Sequence, residues 1–206
     1  MRVASCFILA IALATTATAA DLTVVVQTPA GKPVRDAVVT LNPDAGSPPL
    51  RPAALKLVQQ DLQFDPFVLV APVGSDISFP NHDPVRHHVY SFSPANRFEL
   101  RLYGKDETRT VKFPVVGVVA IGCNIHDGMV AFVKVVDTPL AAKTNDKGEA
   151  VLRGAPSGGA VMRVWHPYAK APKNEIERRL NLPKDGGLKE ALVVDLRVPS
   201  ERRKGY

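Results

Sequence analysis

Three residues that can hold a soft metal lie close together in Gly122-Cys123-Asn124-Ile125-His126-Asp127-Gly128-Met129. A thiol, an imidazole and a thioether fall at Cys-x2-His-x2-Met spacing. Sulfur together with imidazole is what copper selects, and two imidazoles, a thiolate and a weak axial Met form the electron-transfer copper geometry. Taken alone, the loop is also compatible with zinc or with no metal. The copper geometry requires one more histidine from elsewhere in the chain.

The remaining histidines are His82, His87, His88 and His166. Three of them fall in Asn81-His82-Asp83-Pro84-Val85-Arg86-His87-His88-Val89-Tyr90. Neighbouring residues on a strand point to opposite faces. One of His87 and His88 can therefore face the Cys123 loop, and the other faces outward or stands behind the ligands. His82 reads as a loop residue. His166, in Trp165-His166-Pro167, reads as structural, with no ligand role.

The chain has 206 residues and two cysteines, Cys6 and Cys123. Residues 1–20 carry Arg2, an apolar run from Phe7 to Ala14, and small residues ending Ala17-Thr18-Ala19-Ala20. This is the order of a secretory signal peptide, with cleavage after Ala19 or Ala20. The apolar run is too short to span a bilayer. No later stretch approaches a transmembrane span, so the expectation is an exported, soluble, periplasmic protein. Removing the leader takes Cys6 with it and leaves Cys123 alone in an oxidising compartment. A lone thiol there is either a buried small hydrophobe or a metal thiolate, and the flanking residues favour the thiolate.

The formal net charge is +6, and Arg2 leaves with the leader. The chain ends in a basic tail, residues 199–206, which is given no function. No basic-aromatic array points to nucleic acid.

The elements that must position these residues read mainly as strands. Short β-branched or alternating runs occur at 22–26, 34–41, 55–64, 67–71, 77–79, 88–92, 98–103, 108–113, 117–122 and 129–136. They recur at 150–152, 161–165 and 191–198, with turn residues between them. Residues 174–182, with Ile176, Leu180 and Leu182 on one side, read as the one helix. Many short strands with frequent turns predict an all-β sandwich.

The segment Asn81 to Val89 resembles the Asn-x-Asp…His-x-Val stretch of the cupredoxins, the small blue-copper proteins with a Greek-key β-sandwich. In that family the ligand histidine precedes the valine by two, which corresponds to His87. Gly117 to Cys123 is similar to the family's Gly-x5-Cys strand, and Cys123-x2-His126-x2-Met129 resembles the short ligand loop of amicyanin. The longer wording around His87 to Ser93 and Gly122 to Met129 resembles bacterial methylamine-utilisation or plastocyanin-like proteins. The resemblance implies one type 1 copper, with His87, Cys123 and His126 as strong ligands and Met129 as the weak axial one. It implies no catalytic residues, and single-electron exchange with redox proteins of the cytochrome c or dehydrogenase type. Asn81, His88, Asn124 and Asp127 would stand behind the ligands. His88 and Asp127 depart from the family pattern, which commonly has asparagine and proline there.

Gly31 to Leu41, Thr144-Asn145-Asp146-Lys147-Gly148 and Pro156-Ser157-Gly158 resemble the transthyretin-like, carboxypeptidase-regulatory-like β-sandwich. The expected organisation is a cupredoxin domain at 52–137 inserted in a transthyretin-like module made of 21–45 and 138–198. Such a module implies recognition or spacing, so a second reading is a copper-holding or carbohydrate- or protein-recognition sandwich with a structural metal.

Overall fold

The structure, a computed structural model, describes residues 19–198, so residues 1–18 of the expected leader and the basic tail lie outside the described residues, while Ala19 and Ala20 open the first strand. It is all-β. The strands are β1 (Ala19–Gln27), β2 (Val38–Pro43), β3 (Ala54–Lys56), β4 (Val58–Gln60), β5 (Gln63–Asp65) and β6 (Val68–Pro72). They continue with β7 (Ser75–Pro80), β8 (His87–Ser93), β9 (Asn96–Tyr103), β10 (Thr108–Phe113), β11 (Gly117–Cys123) and β12 (Val130–Val136). The last are β13 (Ala141–Lys143), β14 (Glu149–Pro156), β15 (Gly158–Trp165), β16 (Glu175–Leu182) and β17 (Gly187–Val193).

Strands from both ends of the chain share one pair of sheets, ordered β14-β1-β17 and β13-β2-β15-β16. Between them lies a core that includes Leu22, Val24, Val39, Leu41, Leu152, Met162, Val164 and Leu192. The middle of the chain forms another pair, β10-β7-β3 and β6-β12-β11-β8-β9, with the small hairpin β4-β5 beside it. Its core includes Leu57, Ile77, Phe79, Val89, Phe113, Val119, Ile121, Cys123, Met129 and Val133. Alternation explains these memberships. Along β11 and β12 every second side chain is buried, from Val119 to Cys123 and from Ala131 to Val135.

The expected helix at 174–182 is a strand. After a short 3-10 turn at Pro172–Asn174, β16 runs antiparallel to β15, with Leu180 opposite Ala160 and Leu182 opposite Gly158. Ile176, Leu180 and Leu182 are separated by even numbers, so a period of two gathers them as well as a helical face would. Docking beside β15 settles the choice.

The single strand expected at 55–64 is instead β3, β4 and the start of β5. The chain reverses at Asp61 and Leu62, both at left-handed φ (54° and 55°), as a two-residue hairpin of the type I′ kind requires. Asp-Leu lacks the Asn-Gly signature of such turns, which is why the reversal is silent in the sequence. Alternation along 98–103 breaks at a bulge opposite His87 and Val89, so Arg101 and Leu102 both face outward and Tyr103 turns in. The closing strand lies at Gly187–Val193, earlier than 191–198.

Candidate metal centre

Strand register brings the distant histidine to the loop. Cys123 pairs directly with Val89 across β11 and β8. Paired residues share a face, and His87 is the next inward residue along β8. The ring of His87 is fully buried, while His88 turns outward and pairs its Nε2 with Glu99 at 2.8 Å. The Cys123 loop then folds back on itself. The Cys123 N–H donates to the Met129 carbonyl at 3.2 Å, and the Met129 N–H donates to the His126 carbonyl at 3.0 Å. The Asn124 N–H donates to the His88 carbonyl at 3.0 Å, so the two ligand-bearing segments are tied by backbone.

Three donor atoms converge as a result. His87 Nδ1 lies 3.2 Å from His126 Nδ1, and Cys123 Sγ lies 3.7 Å from His87 Nδ1 and 3.6 Å from His126 Nδ1. Donors that share a metal at about 2.0–2.1 Å from nitrogen and about 2.3 Å from sulfur stand roughly 3.3–3.8 Å apart. The triangle therefore has the size of a two-histidine, one-thiolate centre. Met129 is buried at 1% exposure directly after the loop, within the same core cluster as Cys123. His126 is half-buried, and Asn124, Ile125 and Asp127 are exposed.

The protonation chemistry suits metal binding. Burial lowers the pKa of His87 below the ordinary imidazole value, and nearby His126 adds to this, while the Asp83 carboxylate opposes it. The ring is thus neutral at neutral pH, the form in which imidazole binds a metal. Its Nε2 lies 2.7 Å from Asp83 Oδ2. A structural zinc site closes with four N, S or O donors. Here Asp83 faces the far side of His87, and the remaining neighbour on the loop is a thioether. That donor set fits copper better than zinc.

The residues expected behind the ligands take different places. Asn81 is fully buried, and its side-chain amide donates to the carbonyls of Val85 at 2.8 Å and Tyr103 at 3.2 Å. It shapes the loop that carries His87. Asn124 contributes backbone. Asp127 makes no hydrogen bond or ion pair among the described residues and stands exposed, so it does not hold the His126 ring. His82 is exposed, and His166 is buried outside the group of converging donors, its Nδ1 accepting from the Tyr168 N–H at 3.2 Å. Asp83 was missed as a partner of His87. Its signal was the Asn-x-Asp wording and its i, i+4 distance from that histidine.

No protein-family description matches the sequence, and no curated protein does. Solved structures give partial matches. A purple cupredoxin from Nitrosopumilus maritimus is 20% identical, covering 40% of this chain and 99% of its own, with a TM-score of 0.36. A mutant of amicyanin in its Cu(I) form is 17% identical, covering 40% of this chain and 82% of its own, with a TM-score of 0.37. The copper-containing nitrite reductase from Thermus scotoductus is 23% identical, covering 56% of this chain but only 28% of its own, with a TM-score of 0.39. Likenesses this slight assign no function, and the donor geometry has to carry it.

Proposed function

We propose that this chain is an exported type 1 copper protein of the cupredoxin kind. It would carry single electrons between periplasmic redox proteins of the cytochrome c or dehydrogenase type, without catalysing a reaction itself. The observation that carries this reading is the triangle of His87 Nδ1, His126 Nδ1 and Cys123 Sγ, with sides of 3.2, 3.6 and 3.7 Å. His87, Cys123 and His126 would hold one copper strongly and Met129 weakly. When bound, the metal would supply the one-electron couple.

The chain's own residues supply the rest. His87 presents a neutral nitrogen from a dry strand, and Cys123 presents a sulfur next to it. The backbone bonds between Cys123, His126 and Met129 hold the loop, so little moves when charge changes. Half-buried His126 beside exposed Ile125 gives a route from the centre to the surface. Weak redox complexes use small contact areas of this sort.

In the proposed organisation, 52–137 is the copper-holding domain, inserted between 21–45 and 138–198 of a transthyretin-like module. Separate cores and separate sheet pairs support that division. One feature favours a second, recognition role for the flanking module. A polar cleft of about 590 Å³ lies where it meets the inserted strands, lined by Arg35, Asp36, Lys143, Asp61, Asp65 and Phe67 among others.

Voltammetry of the copper-loaded protein tests the carrier reading. One equivalent of copper and a reversible one-electron wave are expected. Tight copper binding with no reversible wave would leave a structural metal and defeat the carrier.

A further inference from the structure

We infer that Asp83 is a positioning residue. It fixes which nitrogen of His87 faces Cys123 and His126, and it links that ligand to the Asp61-Leu62 turn. The inference uses the metal-centre reading only for what the exposed lone pair does.

A neutral imidazole carries its proton on one nitrogen, and the hydrogen bond made by one nitrogen decides the role of the other. In His87 the two nitrogens have unlike neighbours. Nε2 meets Asp83 Oδ2 at 2.7 Å, while Nδ1 faces the His126 nitrogen and the Cys123 sulfur. An ionised carboxylate only accepts. Nε2 must therefore donate, which leaves the lone pair of a neutral ring on Nδ1, pointing at the other two donors.

Asp83 is itself held in place. It is 5% exposed, and its backbone N–H donates to Asn81 Oδ1 at 2.9 Å. Its carboxylate also accepts the Leu62 N–H, at 3.2 Å to Oδ2 and 3.4 Å to Oδ1. Leu62 sits at φ 55°, in a turn whose sequence offers no glycine to relieve it. One buried carboxylate thus steadies a left-handed turn and orients a ligand. His88 gives the contrast. It too meets a carboxylate, Glu99, but on the outer face, where 58% of that side chain is exposed. A pairing there does not aim a nitrogen at other donors.

A buried carboxylate with no partners would be costly, and so would its removal from beside the buried Nε2–H of His87 and the part-buried N–H of Leu62. A purely structural role would show only in stability. A positioning role also shows in the tautomer of His87 and in metal affinity, where partners of ligating histidines are commonly worth about 10–100-fold.

The test uses the 15N-labelled, metal-free full chain at about pH 8, above the ordinary imidazole range. Long-range 1H–15N correlations should show His87 as a single Nε2–H tautomer. Asp83→Asn keeps an acceptor oxygen and should keep that tautomer, with copper(I) affinity falling about tenfold. Asp83→Ala should give mixed tautomers, faster hydrogen exchange at the Leu62 amide, and a loss of copper(I) affinity nearer one hundredfold, again roughly. A wild-type His87 protonated on Nδ1 would overturn the inference. So would variants whose tautomer and copper(I) affinity are unchanged. Should the alanine variant fail to fold, the wild-type tautomer and the asparagine variant still decide. The tautomer is read without metal, so its failure is distinct from a failure of the protein to form a redox-active copper centre.

Discussion

Burial sets the chemistry of single residues in this molecule before any metal arrives. His87 is neutral because its ring is dry, and Tyr103, across β9 from it, shows the same effect on a phenol. Burial pushes the Tyr103 pKa up to about 12, against opposing pulls from Gln59 and Arg109. Its hydroxyl donates to the Phe79 carbonyl at 2.9 Å and accepts from Gln59 Nε2. An unfolded tyrosine loses its proton near pH 10, so above that pH the unfolded chain ionises while the native one holds its proton. The stabilisation is fully present below about pH 10 and disappears as pH rises to about 12. It amounts to about 3 kcal/mol. Urea unfolding followed between these limits should show that decline in the wild type and a flatter profile in Tyr103→Phe. Equal slopes would remove the residue from the account. At this scale the sequence offered the three donors that converge, His87, Cys123 and His126, among its candidates. Cys123, His126 and Met129 declare themselves by type and spacing, and alternation leaves a choice between His87 and His88. Asp83 was only faintly legible as a partner, through the Asn-x-Asp wording, because its contact depends on a loop closed by Asn81 and not on any strand period.

Elements differ in how much of themselves they write into the chain. The turn at Thr144 to Gly148 is explicit. Asn145 Oδ1 accepts from the N–H groups of Lys147 and Glu149, and Gly148 sits at φ 73°. A Cβ at Gly148 would strike the Val26 carbonyl oxygen, which is backbone and cannot step aside. Gly148→Ala should therefore destabilise the protein by about 2–3 kcal/mol, through both crowding and left-handed strain. A denaturation midpoint unchanged from wild type would contradict this. The reversal at Asp61-Leu62 is the opposite case, since neither residue advertises left-handed φ. The segment at Glu175–Leu182 failed for a different reason. Its apolar residues satisfy two periods, and only the neighbouring strand β15 selects one. Local sequence decides strands that alternate cleanly and turns that contain glycine. It leaves the others to tertiary pairing.

At the scale of the whole molecule, a third small core joins the two sheet pairs. Val38, Val68 and Trp165 are buried there, with Phe67, Val70, Val118 and Phe132 packed against them. Lys134 binds Glu175 at 2.7 Å and lies over the Trp165 ring at 5.6 Å. Trp165 is 2% exposed, and its ring meets Phe132 edge-on at 6.1 Å. Trp165→Ala should remove about 3–5 kcal/mol. It should also split thermal unfolding, followed by calorimetry, from one transition into two, and a single unshifted transition would mean that the junction contributes nothing. This joining was invisible in the sequence, where Trp165 reads only as core. The central claim concerns the centre that this scaffold holds, and the visible absorption spectrum of the copper(II)-loaded protein tests it most directly. An intense thiolate-to-copper band is predicted for the wild type and its loss for Cys123→Ser. A colourless copper(II) wild type, or a coloured Cys123→Ser protein, would contradict it.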